Sequence, residues 1–73
     1  MESYANANGE SNVESYSIGE DYIDVKFVGT GKIYRYSYRK AGQYHVDNMK
    51  KLARNGSGLN GYINTNVKFS YDK

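Results

Sequence analysis

The sequence contains no cysteine and no proline. Without cysteine there is no disulfide, no thiol nucleophile and no thiolate metal site, so the fold must be held by packing alone. Proline's absence leaves glycine as the main punctuation between elements. Histidine occurs once, at position 45, and one histidine without cysteine does not make the usual zinc site. No stretch approaches the roughly 20 apolar residues of a membrane span. Met1-Glu2-Ser3-Tyr4 also lacks the basic segment and apolar run of an export signal. The expectation is a cytoplasmic protein with no membrane partner, no cofactor and no catalytic site.

The chain is 73 residues long, one domain's worth. At that size burial only just outweighs chain entropy, and a stability of about 4–10 kcal/mol is expected. Aromatic residues make up 15% of it, nine tyrosines and two phenylalanines, which supply apolar area together with hydroxyls that need partners or water. The net charge of +2 is small but unevenly spread: residues 1–31 hold one lysine against six acids, a net −5, and residues 32–73 hold nine Lys/Arg against two acids, a net +7. Such asymmetry makes one basic surface, or simply a solvated helix and strand rich in lysine.

Residues 1–11 have only Tyr4 to bury and read as a disordered tail, with a single domain over 12–73. Val13, Tyr16 and Ile18 lead to Gly19-Glu20-Asp21. Tyr22-Ile23-Asp24-Val25-Lys26-Phe27-Val28 then alternates up to Gly29-Thr30-Gly31, and Lys32-Ile33-Tyr34-Arg35-Tyr36-Ser37-Tyr38 alternates again. These are three short strands joined by two hairpins. A two-residue turn at Glu20-Asp21 sets Ile18 against Ile23 and Tyr16 against Val25. A two-residue turn at Thr30-Gly31 pairs Gly29 with Lys32, and so Phe27 with Tyr34, Val25 with Tyr36 and Ile23 with Tyr38. A three-residue loop would set Val25 against Arg35 and split the apolar face, so it is rejected. The other face then collects Asp24, Lys26, Arg35 and Ser37, with Val28 and Ile33 near the turn.

From Lys40 to Asn55, Ala41, Tyr44, His45, Val46, Met49, Leu52 and Ala53 fall on one side at about 100° per residue, and Asp47, Lys50, Lys51 and Arg54 on the other. This amphipathic helix stops at Gly56-Ser57-Gly58 and should cover the apolar sheet face. In the last segment Leu59, Tyr62, Ile63 and Val67 suit a short helix, whereas Val67, Phe69 and Tyr71 alternate as a strand would. A helical turn near 59–66 and an extended end are expected. The fold class is thus α+β: a three-stranded antiparallel meander with one face covered by an amphipathic helix, then a short C-terminal helix and extended end.

Ser11-Asn12-Val13, the strand ending at Phe27, Tyr34-Arg35-Tyr36, and Tyr62-Ile63-Asn64 with Val67-Lys68 and Tyr71 resemble the KTSC domain. That family is named for a C-terminal extension of some lysyl-tRNA synthetases and also occurs as short stand-alone bacterial and phage proteins. The resemblance spans about residues 11–71. The sequence departs from it at Arg39-Lys40-Ala41-Gly42, where the family has Val-Pro, and in the placing of Ser57-Gly58-Leu59-Asn60-Gly61. What it implies about function is a suggested role in RNA binding.

Motifs for chemistry are few. His45 lies in the helix's apolar arc and reads as a packed, hydrogen-bonded side chain. Glu20 and Asp21 are turn residues, and neither Gly29-Thr30-Gly31 nor Gly56-Ser57-Gly58 has the spacing of a phosphate loop. Tyr34 and Tyr36, near Arg35, Arg39 and Lys40, invite a stacking role for single-stranded bases, but the register puts them in the core. Two functions follow. One is a non-catalytic module that binds nucleic acid, RNA above DNA, through Arg35, Arg39, Lys40, Lys50, Lys51, Arg54 and Lys68. The other is a protein-interaction or assembly module that uses the edge of the first strand or the outer face of Lys26, Val28, Ile33 and Arg35.

Overall fold

In the computed structural model, which describes residues 1–6 and 12–72, four antiparallel strands form one sheet in the order β1 (Glu2–Ser3), β2 (Val13–Ile18), β3 (Tyr22–Phe27) and β4 (Ile33–Ser37). Helices α1 (Tyr38–Ala41), α2 (Gln43–Asn55) and α3 (Leu59–Tyr62) follow, and α3 runs on as a π-helical segment, Ile63–Val67. The protein is a small α+β fold.

The β2–β3 hairpin pairs Tyr16 with Val25 and Ile18 with Ile23, as the two-residue turn predicts, and the Gly19 N–H donates across it to the Tyr22 carbonyl at 3.0 Å. The register shifts between Val13 and Ser15, so Glu14 is an extra residue and Val13, three positions before Tyr16, also faces inward. Both are buried.

The second hairpin differs from expectation. Val25 pairs with Tyr34 and Ile23 with Tyr36, two residues away from the pairing that a Thr30-Gly31 turn would give. The connection is a longer loop, in which Thr30 Oγ1 donates to the Phe27 carbonyl at 3.2 Å and accepts from the Lys32 N–H at 3.2 Å. Because side chains alternate with period 2, a shift of two residues leaves every face unchanged. Ile23, Val25 and Tyr36 are therefore still buried. Tyr38, expected opposite Ile23, instead opens α1.

The expected three strands become four because the N-terminus docks. Residues 1–6 are not a free tail: Glu2 pairs with Tyr16 and Ser3 with Ser15, and the Tyr4 N–H donates to the Glu14 carbonyl at 3.0 Å. Tyr4 is only 6% exposed, and its phenolic oxygen accepts from the Leu59 N–H at 3.2 Å. That amide lies in the first turn of α3, where no carbonyl of the helix itself can satisfy it. Residues 7–11 of the expected tail lie outside the described residues.

The helix expected over Lys40–Asn55 is broken at Gly42, whose φ of 96° lies outside the helical region. The buried stripe of α2 is Val46, Met49, Lys50 and Ala53, which is rotated from the expected arc toward Lys50. Tyr44 is left 76% exposed. The helix ends at Gly56, in the left-handed region with φ 77°, and a Cβ there would stand 2.5 Å from that of Ala5. The N-terminal segment thus packs onto the end of α2.

Val46, Met49 and Ala53 join Leu59, Ile63 and Val67 against the inward face of the sheet to form one core. After the π-helical segment the chain returns to β4, where the Asp72 N–H donates to the Arg35 carbonyl at 2.6 Å and Ser37 Oγ donates to Asp72 Oδ1 at 2.7 Å. The edge of β4 is partly satisfied by the chain's own end.

Candidate functional site

The cations divide sharply by what surrounds them. On the outer sheet face Asp24 and Arg35 are cross-strand partners, and the guanidinium donates twice to the carboxylate, at 2.8 and 3.1 Å. It also lies 4.0 Å from the centre of the Tyr22 ring. The hydrogen bond and charge of Asp24 raise the pKa of Arg35 further above its ordinary value. Lys26 is likewise 3.2 Å from Glu14. Arg35, expected among the nucleic-acid contacts, is therefore already committed to a bidentate ion pair.

Lys50 needs a firmer correction. It was expected on the solvent face of the helix with Lys51 and Arg54, but it is 8% exposed. Its Nζ donates to the Glu20 carbonyl at 3.1 Å and to the Tyr38 hydroxyl at 3.3 Å, and stands 4.0 Å from Asp47. The Tyr38 hydroxyl in turn donates to Asp47 Oδ1 at 2.5 Å. That bond first, then desolvation and the charge of Asp47, raise the Tyr38 pKa above its ordinary value. The aliphatic stem of Lys50 lies in the core while its ammonium reaches three polar partners. It pins α2 to the β2–β3 turn and is not on the exposed face with Lys51 and Arg54.

Arg39, Lys40, Lys51, Arg54 and Lys68 are all exposed. Among the described residues none of these five has a carboxylate within ion-pair distance, and neither does Lys32. Arg39 and Lys40 line a shallow depression with Ser37 and Asp72, Lys51 and Arg54 lie on α2, and Lys68 follows the π-helical segment.

Lys68 also stands at the rim of a groove of about 480 Å³ between the β3–β4 hairpin and the C-terminal helix. Phe27, Tyr34 and Tyr36 come from the sheet, Val28 and Thr30 from the loop, Asn60, Ile63 and Asn64 from the helix, and Phe69 and Tyr71 from the returning chain. Tyr71 packs edge-on against Tyr34, centroids 4.8 Å apart, and Phe27 meets Tyr34 at 5.7 Å. Phe69 stays 76% exposed, with Lys68 Nζ 5.5 Å from its ring centre. Tyr36 is core, as the alternation predicts, while Tyr34 is half-buried in the groove wall. Asn60, Asn64 and Phe69 line this groove although none is among the cations expected from the sequence; the alternation of Val67, Phe69 and Tyr71 is the one sequence signal that bears on it.

His45 is not among this groove's lining residues. Its Nδ1 lies 2.7 Å from the Tyr62 hydroxyl, which also accepts from Asn48 Nδ2 at 3.2 Å. It is a packed, hydrogen-bonded histidine. Glu20 and Asp21 are exposed turn residues whose carbonyls, not carboxylates, make the contacts: Glu20 with Lys50 and Asp21 with the Tyr38 N–H at 2.8 Å. Among the described residues no helix is long and apolar enough to cross a membrane. Compared with known proteins, the chain matches no family model, no curated protein and no solved structure.

Proposed function

We propose that this chain is a non-catalytic cytoplasmic module that binds single-stranded RNA through its exposed, unpaired cations. The observation that carries the reading is the division of charge: Lys26 and Arg35 are neutralised by partners and Lys50 is buried, while Arg39, Lys40, Lys51, Arg54 and Lys68 stand free of carboxylates among the described residues. Free surface cations attract phosphate and release its counterions, whereas paired ones have little left to offer. Membership of the KTSC family belongs to the same proposal, supported by the Tyr34-Arg35-Tyr36 and Tyr62-Ile63-Asn64 motifs and in keeping with that family's suggested RNA binding.

A second reading, a protein-interaction module, is favoured by Val28 and Ile33, which are 57% and 55% exposed. It loses ground because Lys26 and Arg35 on the same outer face are already paired, and because β1 covers part of the β2 edge and Asp72 part of the β4 edge. The deciding experiment is fluorescence anisotropy with an unstructured RNA at low salt, comparing the wild type with the double variant Lys51→Glu, Arg54→Glu. Circular dichroism checks the fold. Weaker binding by a folded variant supports the proposal. Equal binding, or none by the wild type, moves the protein-interaction reading ahead.

A further inference from the structure

The groove described above is built differently from the core it borders. Its inner wall is apolar, with Tyr36 and Ile63 nearly fully buried, but the helix side presents two amides. Asn60 and Asn64 are four residues apart, so they project from one face of the helix, and both line the groove. Neither amide makes a hydrogen bond to another described residue. Each offers two donors and an acceptor. An aliphatic occupant would leave those groups desolvated and unpaired, so the groove suits a ligand with a flat apolar body and a polar edge.

Phe69 gives such a ligand a surface. A phenylalanine that is 76% exposed at the rim of a concavity has one face available for stacking, unlike Tyr71, whose ring is used against Tyr34 and Tyr36. Among the described residues Lys68 is the only charged one of the lining, and no carboxylate joins it. An aromatic ring beside a free ammonium is the arrangement by which proteins hold a base together with its phosphate. The volume, about 480 Å³, falls in the roughly 300–1,000 Å³ range of small-ligand sites.

We infer that this groove takes one unpaired nucleobase, stacked on Phe69, with its polar edge toward Asn60 and Asn64 and its phosphate held by Lys68. The inference rests on the RNA-binding reading and deepens it: the scattered cations supply affinity for the backbone, and the groove supplies the requirement for a base. The recognised chemistry is base plus phosphate. It is common to RNA, DNA and free nucleotides, so the test must separate them.

The experiment titrates the full ¹⁵N-labelled chain with four probes: a single-stranded RNA, the matching DNA, a phosphodiester of equal charge with no bases, and uridine monophosphate. Side-chain amide signals of Asn60 and Asn64 and the backbone signal of Phe69 are followed. Base-bearing probes are expected to shift all three, whereas the abasic strand shifts the amides around Arg39, Lys40, Lys51, Arg54 and Lys68 and leaves the Asn60 and Asn64 side-chain signals in place. Phe69→Ala, which removes an exposed ring and spares the core, is expected to weaken RNA binding about 5- to 150-fold, as loss of one base–ring stack does. It should leave abasic binding unchanged. Asn64→Ala provides a second exposed variant with the same expected pattern. Equal response to DNA or to uridine monophosphate supports the groove and identifies the base rather than the sugar or strand as what it reads. Equal binding of RNA and the abasic strand, with Phe69→Ala silent, overturns the groove while the phosphate reading stands. No binding by any probe overturns both.

Discussion

Tyr4 is the residue whose change speaks most directly to the docked N-terminus. Its ring is 6% exposed, and its hydroxyl accepts from the Leu59 N–H, on a residue with no exposed surface, at 3.2 Å. Truncating a large buried aromatic costs about 3–5 kcal/mol through lost burial and the cavity left behind. Against a total of about 4–10 kcal/mol for a chain of this size, that is enough to unfold a sizeable fraction of the molecules. Tyr4→Phe separates the two contributions: the ring stays, and a first-turn donor of α3 is left buried without an acceptor, at about 1–3 kcal/mol. Urea unfolding followed by circular dichroism gives both values, with the slope against denaturant expected to stay constant. The order wild type, Tyr4→Phe, Tyr4→Ala in falling stability is the expected result. If Tyr4→Ala shifts stability by less than about 0.5 kcal/mol, the level of an ordinary surface substitution, the docking is wrong and residues 1–6 are a tail after all.

Two further predictions concern the core. Lys50→Glu puts a carboxylate beside Asp47 and the Glu20 carbonyl in a nearly closed site, and should cost more than about 2 kcal/mol, whereas Lys51→Glu on the exposed side of the same helix should stay within about 0.5 kcal/mol; urea midpoints of the two variants compare them. Burial, then the neighbouring Tyr34 and Tyr71, push the Tyr36 phenol from 10.0 up to about 12. Its contribution is therefore complete below about pH 10 and declines as pH rises toward about 12, because the unfolded chain releases the proton first. Tyr36→Phe keeps the ring and removes that proton, so its stability should fall less steeply with pH across this window.

The alternation of Tyr22–Phe27 and of Ile33–Ser37 was enough to sort side chains onto two faces, because face depends only on parity. It was not enough to place the register. A Thr30-Gly31 turn and a longer loop bonded through Thr30 Oγ1 both keep Val25 and Tyr36 inward, and nothing in the alternation chooses between them. Lys50 was misplaced for a related reason: a lysine counts as polar in a periodicity, although its stem packs as hydrocarbon once the head finds the Glu20 carbonyl and Tyr38. The N-terminal strand was invisible because Glu2 and Ser3 have no apolar pattern. Their order comes from Tyr4, whose partner lies 55 residues away. The basic half of the chain was legible from composition, but which cations remain free was not. That depends on cross-strand and tertiary partners such as Asp24 for Arg35.

The salt dependence of RNA affinity tests the central claim most directly. An unstructured RNA titrated into the protein at several salt concentrations gives the slope of log affinity against log salt, to which each phosphate contact on a single strand adds about −0.7. If three to five of Arg39, Lys40, Lys51, Arg54 and Lys68 hold phosphates, the slope should lie at about −2 to −3.5. A slope near zero, or no binding at the lowest salt, would contradict the claim that this is an RNA-binding surface.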